Sequence, residues 1–256
     1  MAVDYLSGSG AVISNLESAA MSGTWPYDSL SVGADRVLVV SIMHENGIAG
    51  PSSITYGGFA LSLQEGLVVN PADNFSETGE IWTLVNPPTG INNVVATGAG
   101  SGRDGTIWGA VYTGVNQAAP VGNTGTNSAL RPNSGETVSI TKQTEDNAIS
   151  WLYVHDQSNS IYEAAANNTL INSIWTDEDG DGYSASGSGI GYRLTGSGVV
   201  IAGAVYLSSP ATGGGHEDNG VVAIELMAAP LSPNTPINLG FANLQPDSVR
   251  LTWEQG

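Results

Sequence analysis

Short apolar runs separated by glycine, asparagine and proline dominate this sequence. The runs are rich in β-branched residues, have the length of strands and end at turn residues. The clearest are Arg36–Met43, Thr106–Tyr112, Ala148–Val154, Val199–Tyr206 and Val221–Leu226. Gly57 and Gly58 separate two further runs, and they predict a tight hairpin because both tolerate a positive φ. The sequence therefore predicts an all-β protein.

The number and spacing of these runs predict a two-sheet sandwich. The chain has 256 residues, which suits one large β domain that buries most of its unfolded surface. Two windows, 14–20 and 161–166, are compatible with a turn of helix but are too short to be architectural elements. We expect residues 1–228 to form one sandwich domain.

Composition excludes several classes of protein. The chain has no cysteine, which excludes disulfides, cysteine-based metal sites and a thiol nucleophile. It has 24 acidic and 6 basic side chains, a net charge of −18, so we expect neither nucleic acid nor an anionic membrane as a partner. The first residues lack the basic and apolar regions of a signal peptide. A virion protein released by lysis would need no such signal.

The composition changes near the C-terminus. Residues 229–236 are proline-rich and predict a semi-rigid linker. Residues 237–256 resemble the first two strands of a fibronectin type III module, with a proline-led first strand and Asp247-Ser-Val-Arg-Leu-Thr-Trp253 as the second. A complete module needs about 100 residues. We therefore expect an incomplete module here.

Three stretches of the main domain carry a second resemblance. They are Gly33–Val40 with Ser53–Leu61, then Glu80–Gly90, then Gly109–Val121 with Val221–Leu226 as a closing strand. Their order resembles a β-sandwich module of phage virion proteins and large secreted bacterial proteins. The resemblance implies a jelly-roll-like, lectin-type sandwich. It implies little about chemistry, because such scaffolds host capsid, adhesive and enzymatic roles alike.

One acidic segment has the spacing of a calcium loop. Asp177, Asp179 and Asp181 occupy positions 1, 3 and 5, a glycine follows at position 6, and the carbonyl of Tyr183 stands at position 7. Position 12 is Ser188 instead of the usual glutamate, which argues against an EF-hand. A loop site for calcium completed by distant oxygens is one interpretation, and a solvated acidic turn is the other. Calcium is the one cofactor we expect.

No arrangement of residues predicts catalysis. The three histidines each precede an acidic residue, at His44, His155 and His216. Adjacent strand residues point to opposite faces, so none of these pairs forms a dyad within one strand. We expect ordinary solvated histidines at strand ends or in loops, and we predict no catalytic residue.

The tryptophans divide into two groups. Trp82, Trp108 and Trp151 lie in apolar runs and are predicted to be core residues. Trp25 and Trp175 lie in turn-rich segments and are the candidates for sugar stacking or a contact between subunits.

Together these features favour a non-enzymatic structural protein on the surface of a phage virion. A head decoration protein or a tail or spike component would act through protein–protein assembly, with other virion proteins and with copies of itself. A trimer is favoured by analogy with phage decoration proteins. The alternative is a secreted, extracellular bacterial module that binds a cell-surface glycan or mediates adhesion, with or without calcium. A polysaccharide-acting enzyme is the least favoured class.

Overall fold

The computed structural model describes residues 1–17, 22–44, 50–69, 77–98, 104–130, 136–156, 161–177, 185–208 and 218–230. None of these residues lies in a helix, so the described part of the chain has no helix that could span a membrane. The prediction of an all-β protein is confirmed.

The described residues form strands numbered here in chain order. They are β1 (Asp4–Tyr5), β2 (Ala11–Glu17), β3 (Gly23–Asp28), β4 (Val37–His44), β5 (Ser53–Tyr56), β6 (Phe59–Ala60), β7 (Ser62–Val68), β8 (Thr78–Val85), β9 (Ile91–Thr97), β10 (Asp104–Thr113), β11 (Val121–Leu130), β12 (Thr137–Lys142), β13 (Ala148–Asp156), β14 (Ile161–Ala164), β15 (Thr169–Asp177), β16 (Ala185–Arg193), β17 (Gly198–Ser208) and β18 (Asp218–Leu226).

These strands form four antiparallel sheets among the described residues, where the sequence predicted two. Outer sheet 1 has the order β3–β9–β5–β6. Inner sheet 1 has the order β10–β4–β8–β7, with β1 and β2 both paired to the free edge of β10. Inner sheet 2 has the order β11–β18–β13–β16–β15, and outer sheet 2 has the order β12–β17–β14.

Three apolar cores separate the four sheets. The central core lies between the two inner sheets and includes Val39, Trp108, Leu152 and Ile224. A second core fills the space between outer sheet 1 and inner sheet 1, and a third fills the space between inner sheet 2 and outer sheet 2. The protein is therefore a stack of four layers, with the inner sheets covered on both faces.

Burial on both faces explains why the predicted number of sheets was wrong. In a two-sheet sandwich one face of each strand meets water, so apolar and polar residues alternate. All eight residues of β4 are buried, with Leu38 and Val40 in one core and Val37 and Val39 in the other. The continuous apolar runs of β4, β13 and β18 are thus the sequence signal of an inner sheet.

Neither helical window contains a helix in its described residues, 14–17 and 161–166. Residues 11–17 form β2, which pairs with β10, and residues 161–164 form β14, which pairs with β17. Each window is shorter than an independently stable helix, so ladder hydrogen bonds to a neighbouring strand prevail. The predicted hairpin is confirmed, with φ of 58° at Gly57 and 85° at Gly58 in the turn between β5 and β6.

The order of strands occurs twice along the chain. We call β2 to β10 unit 1 and β11 to β18 unit 2. Within each unit the first strand pairs with the last, and the last pairs with the third, as in β2–β10–β4 and β11–β18–β13. The inner sheet continues as β8–β7 in unit 1 and as β16–β15 in unit 2. Each unit is a two-sheet sandwich, and the molecule contains two of them packed face to face.

Residues 231–256 lie outside the described residues, so the predicted linker (229–236) and the fibronectin-like segment (237–256) stay predictions. Ala229 is described, and its amide donates to the carbonyl of Gly114 at 2.8 Å.

Candidate functional site

Eight connections between strands, four from each unit, leave from one end of the stack. In unit 1 His44 ends β4, beside Gly105 and Thr78, which begin the described pairing of β10 and β8. In unit 2 His155 pairs with Asn219 at the corresponding end. Four connections of each unit leave from this end: those after β2, β4, β7 and β9, and those after β11, β13, β15 and β17. We call it the loop end.

The loop ends of the two units lie on the same side of the molecule. Gly220, near the start of β18, lies so close to inner sheet 1 that a Cβ atom there would be 2.6 Å from Val69 Cγ2 and 2.7 Å from Leu67 Cδ2. Leu67 lies in β7 and Val69 follows it, at the loop end of unit 1. One surface of the protein therefore displays connections from both units.

The opposite end holds the two ends of the described chain. The Met1 amine donates to the carbonyl of Ala229 at 3.2 Å, and the Val3 amide donates to the carbonyl of Asp146 at 2.7 Å. Val115 and Ala228 form an antiparallel bridge beside them. We call this the terminal end. The first and last described residues thus lie at the end opposite the loop end.

Of the predicted calcium residues, the structure describes Asp177, which lies at the loop end. Asp177 is the last residue of β15 and pairs with Ala185 of β16, so segment 178–184 joins these two strands. Asp179, Asp181 and Tyr183 lie outside the described residues, as does His216. Among the described residues no three His, Asp or Glu side chains converge on a metal position.

A buried carboxylate lies inside unit 1 near the loop end. Glu80 is 9% exposed, and its Oε2 accepts a hydrogen bond from Trp82 Nε1 at 2.9 Å. Gly50 packs directly on this carboxylate, since a Cβ atom there would be 2.1 Å from Glu80 Oε1. Burial raises the pKa of Glu80, and the hydrogen bond from Trp82 opposes that rise. The neutral acid is therefore favoured here relative to an exposed glutamate.

Two of the three histidines are buried, contrary to the expectation that they would be solvated. His44 and His155 are strand residues with 2% and 4% of their surface exposed, so the prediction of solvated histidines is wrong for both. The His155 ring lies 5.6 Å from the Tyr153 ring, and across the pairing with β16 these side chains face glycines 187 and 189. His44 is the last residue of β4, and His155 follows seven buried residues of β13, so both are covered by the strands of the inner sheets.

Two basic side chains are buried at the terminal end. Arg36 donates to the carbonyls of Leu30 and Pro87, which joins the β3–β4 connection to the β8–β9 connection. Lys142 donates to the carbonyls of Glu145 and Leu194, which joins the corresponding connections of unit 2. Burial is the main cause that lowers the pKa of Lys142. Each unit thus uses an internal cation to close its terminal end.

Glu225 is the most extensively bonded buried carboxylate that the structure describes. Its Oε1 accepts hydrogen bonds from the backbone N–H of Gln143 at 2.5 Å and from the side-chain Nδ2 of Asn147 at 2.7 Å. Its Oε2 accepts from the backbone N–H of Asn123 at 3.1 Å and from the side-chain Nδ2 of the same residue at 3.2 Å. With four donors this charge is satisfied internally, and its role is to fix the connection between β12 and β13 against β11 and β18.

The outer sheets carry few exposed charges, namely Asp28 at the end of β3 and Glu163 in β14. On outer sheet 1, Ile91 is 72% exposed, and on outer sheet 2, Val199 is 73% exposed. The register places Thr24 beside Val95 on the first face and Thr141 beside Val199 on the second. In a chain with a net charge of −18, two faces of threonine and β-branched residues are places where copies can meet with little repulsion.

Outer sheet 1 also carries a shallow groove of about 420 Å³. Its polar lining comes from Thr55, Asn92 and Asn93, and Ile91 and Val95 supply its apolar part. The groove contains no charged residue. Its chemistry suits a neutral ligand with hydroxyl groups and apolar faces.

The tryptophan predictions are partly confirmed. Trp82, Trp108 and Trp151 are buried core residues, as predicted. Trp25 is half-buried and packs against the core between outer sheet 1 and inner sheet 1, so its ring is not freely displayed. Trp175 lies in β15.

Comparison with known proteins returned no match. No family model, no curated protein and no solved structure is significantly similar to this chain. The fold and the surfaces described above define it as an all-β protein of two packed sandwiches, and its function is argued from these surfaces alone.

Proposed function

We propose that this chain is a non-enzymatic structural protein of a phage virion, either a head decoration protein or a component of a tail or spike. The observation that carries the proposal is the separation of the two ends. Met1 and Ala229 lie side by side at the terminal end, whereas four connections of each unit leave the loop end. Such a module can be attached at one end while it displays the other at the virion surface. The burial of His44 and His155 supports a role without catalysis.

We further propose that each unit is a jelly roll. When the two-residue strand β6 of unit 1 is set aside, the first strand of each unit pairs with the last, the last with the third and the third with the sixth. The second sheet of each unit pairs the second strand with the seventh and the seventh with the fourth. This order supports the proposal together with the resemblance of the sequence to virion sandwich modules. The fibronectin-like segment (237–256) would then follow the terminal end through the linker (229–236).

Self-association through the sparsely charged outer faces would assemble the protein. The two faces differ from each other, and contacts between unlike faces generate either closed rings, such as the expected trimer, or open filaments. Light scattering coupled to size exclusion should show an oligomer that Ile91→Asp or Val199→Asp dissociates. Val32→Asp adds the same charge at an exposed site outside the outer sheets and should leave the oligomer intact. A monomer at all concentrations would contradict self-association.

The calcium site at Asp177, Asp179, Asp181 and Tyr183 is proposed as a brace for the β15–β16 connection. A site without the glutamate at position 12 should bind in the range of about 10⁻⁴ to 10⁻³ M. Millimolar calcium should therefore raise the thermal midpoint, relative to chelator, in the parent protein but not in Asp179→Ala. Equal midpoints in all four samples would refute the site.

The virion assignment is tested on purified particles. Quantitative mass spectrometry should find this chain at a fixed number of copies per particle, in proportion to the major capsid protein. Recovery from the culture medium or the bacterial envelope, and absence from particles, would instead favour the extracellular adhesive or carbohydrate-binding alternative. The neutral groove on outer sheet 1 favours that alternative. Its test is glycan binding that Asn93→Ala abolishes.

A further inference from the structure

We infer that the central core is the two-fold interface of a dimer of one eight-stranded unit, and that this chain carries the two copies joined covalently. Each strand of unit 1 has a counterpart in unit 2, apart from the two-residue strand β6. The counterparts are β2 and β11, β3 and β12, β4 and β13, β5 and β14, β7 and β15, β8 and β16, β9 and β17, and β10 and β18.

The registers of the counterpart strands coincide. β4 pairs with β10 over eight residue pairs, from Val37–Tyr112 to His44–Gly105. β13 pairs with β18 over eight residue pairs as well, from Ala148–Leu226 to His155–Asn219. In each unit a histidine, His44 or His155, belongs to the eighth of these residue pairs. Val37, Tyr112, Ala148 and Leu226 all face the central core, so corresponding positions also point in the same direction.

The contacts across the central core are reciprocal except that β7 also packs against β18, without a counterpart of similar extent between β15 and β10. β8 of unit 1 packs against β13 and β18, and its counterpart β16 packs against β4 and β10. β7 packs against β11, and its counterpart β15 packs against β2. In an isologous dimer the same patch is used on both subunits, so every contact has a mirrored partner. Two unrelated sheets packed face to face have no reason to show this reciprocity.

The reciprocity extends to individual residues. Trp108 of β10 donates from Nε1 to Ser188 Oγ of β16 at 2.8 Å. The register makes Val222 of β18 the counterpart of Trp108, and Gly79 of β8 the counterpart of Ser188. Val222 and Gly79 also meet, since a Cβ atom on Gly79 would be 3.2 Å from Val222 Cγ2. The same contact is made twice, by a polar pair on one side and by an apolar pair on the other.

The covalent connection between the units enters the central core at Val115 and then runs over the surface. Residues 114–120 join β10 to β11, and Ala118 and Ala119 are exposed. Asn116 Oδ1 accepts from the amides of Ala118 and Ala119 at 3.0 and 3.2 Å, which closes a local turn. A cut between these two alanines would leave each fragment with a complete unit.

The test is a full-length chain with a protease site between Ala118 and Ala119. After cleavage, the two fragments should elute together at the mass of the uncut chain and keep its β-sheet circular dichroism. Their thermal midpoint should rise with protein concentration, whereas that of the uncut chain should not, because only the cut protein is a bimolecular complex. Fragments that separate at micromolar concentration, or that lose the β spectrum, would overturn the inference.

A matched control places the same protease site between Thr195 and Gly196, in the connection between β16 and β17. This cut also lies in a surface turn but divides unit 2. It should lower the thermal midpoint more than the cut between units, or abolish the β spectrum. If both cuts leave equally stable complexes, the boundary between units has no special status and the inference fails.

Discussion

At the scale of single residues, Glu80 is a destabilising charge that the fold retains. Because burial raises its pKa above the ordinary value of 4.5, the folded state binds a proton more tightly than the unfolded state does. The contribution of Glu80 to the free energy of unfolding therefore becomes less favourable as pH rises from about 4.5 through the pKa of the folded state. Glu80→Gln keeps an acceptor for Trp82 and should flatten this dependence. Urea unfolding of both proteins from pH 4.5 to pH 7 checks it. A difference between them that is independent of pH would contradict the prediction.

A second residue-scale prediction concerns the hydrogen bond between Trp108 and Ser188. Both groups are buried in the central core, so Ser188→Ala leaves the indole N–H without its acceptor. We expect a loss of about 1–3 kcal/mol in the free energy of unfolding. A double-mutant cycle with Trp108→Phe isolates the interaction. A coupling energy near zero would show that this bond does not hold the units together.

At the scale of elements, the close approach of the inner sheets depends on glycine. A Cβ atom on Gly220 would lie under 3 Å from the side chains of Leu67 and Val69 of unit 1. Gly220→Ala should therefore lower the free energy of unfolding by about 1–3 kcal/mol through overpacking. Gly66→Ala is the control, because its nearest atoms would be 3.7 Å away. Chemical denaturation measures both variants. Equal stabilities would mean that the sheets are not tightly packed at this point.

The strands differ in how well their sequences predict them. The inner strands β4, β13 and β18 were predicted from their apolar runs, and the hairpin from Gly57 and Gly58. β11 was missed because Val121–Leu130 is mostly glycine, asparagine and threonine, and it becomes a strand by pairing with β18. Such tertiary pairing overrides local propensity and leaves no pattern along the chain.

At the scale of the whole molecule, the sequence predicts the class of fold but not the number of layers. An apolar run shows that both faces of a strand are covered, without showing what covers them. The repetition of the unit is also hidden, because counterpart positions hold different residues, such as Trp108 and Val222. Of the candidate sites, the acidic segment is visible in the sequence. The buried Glu80, Arg36 and Lys142 are not, since isolated charged residues ordinarily indicate an exposed surface.

Hydrogen–deuterium exchange along the full chain tests the central claim, that two equivalent sandwiches meet at a central core, most directly. Backbone amides of β4, β10, β13 and β18 should exchange slowest and to a similar degree in the two units, because these strands are buried on both faces. Amides of the outer strands β3 and β12 should exchange faster. Exchange in β4 and β13 as fast as in β3 and β12, or protection confined to one unit, would contradict the account.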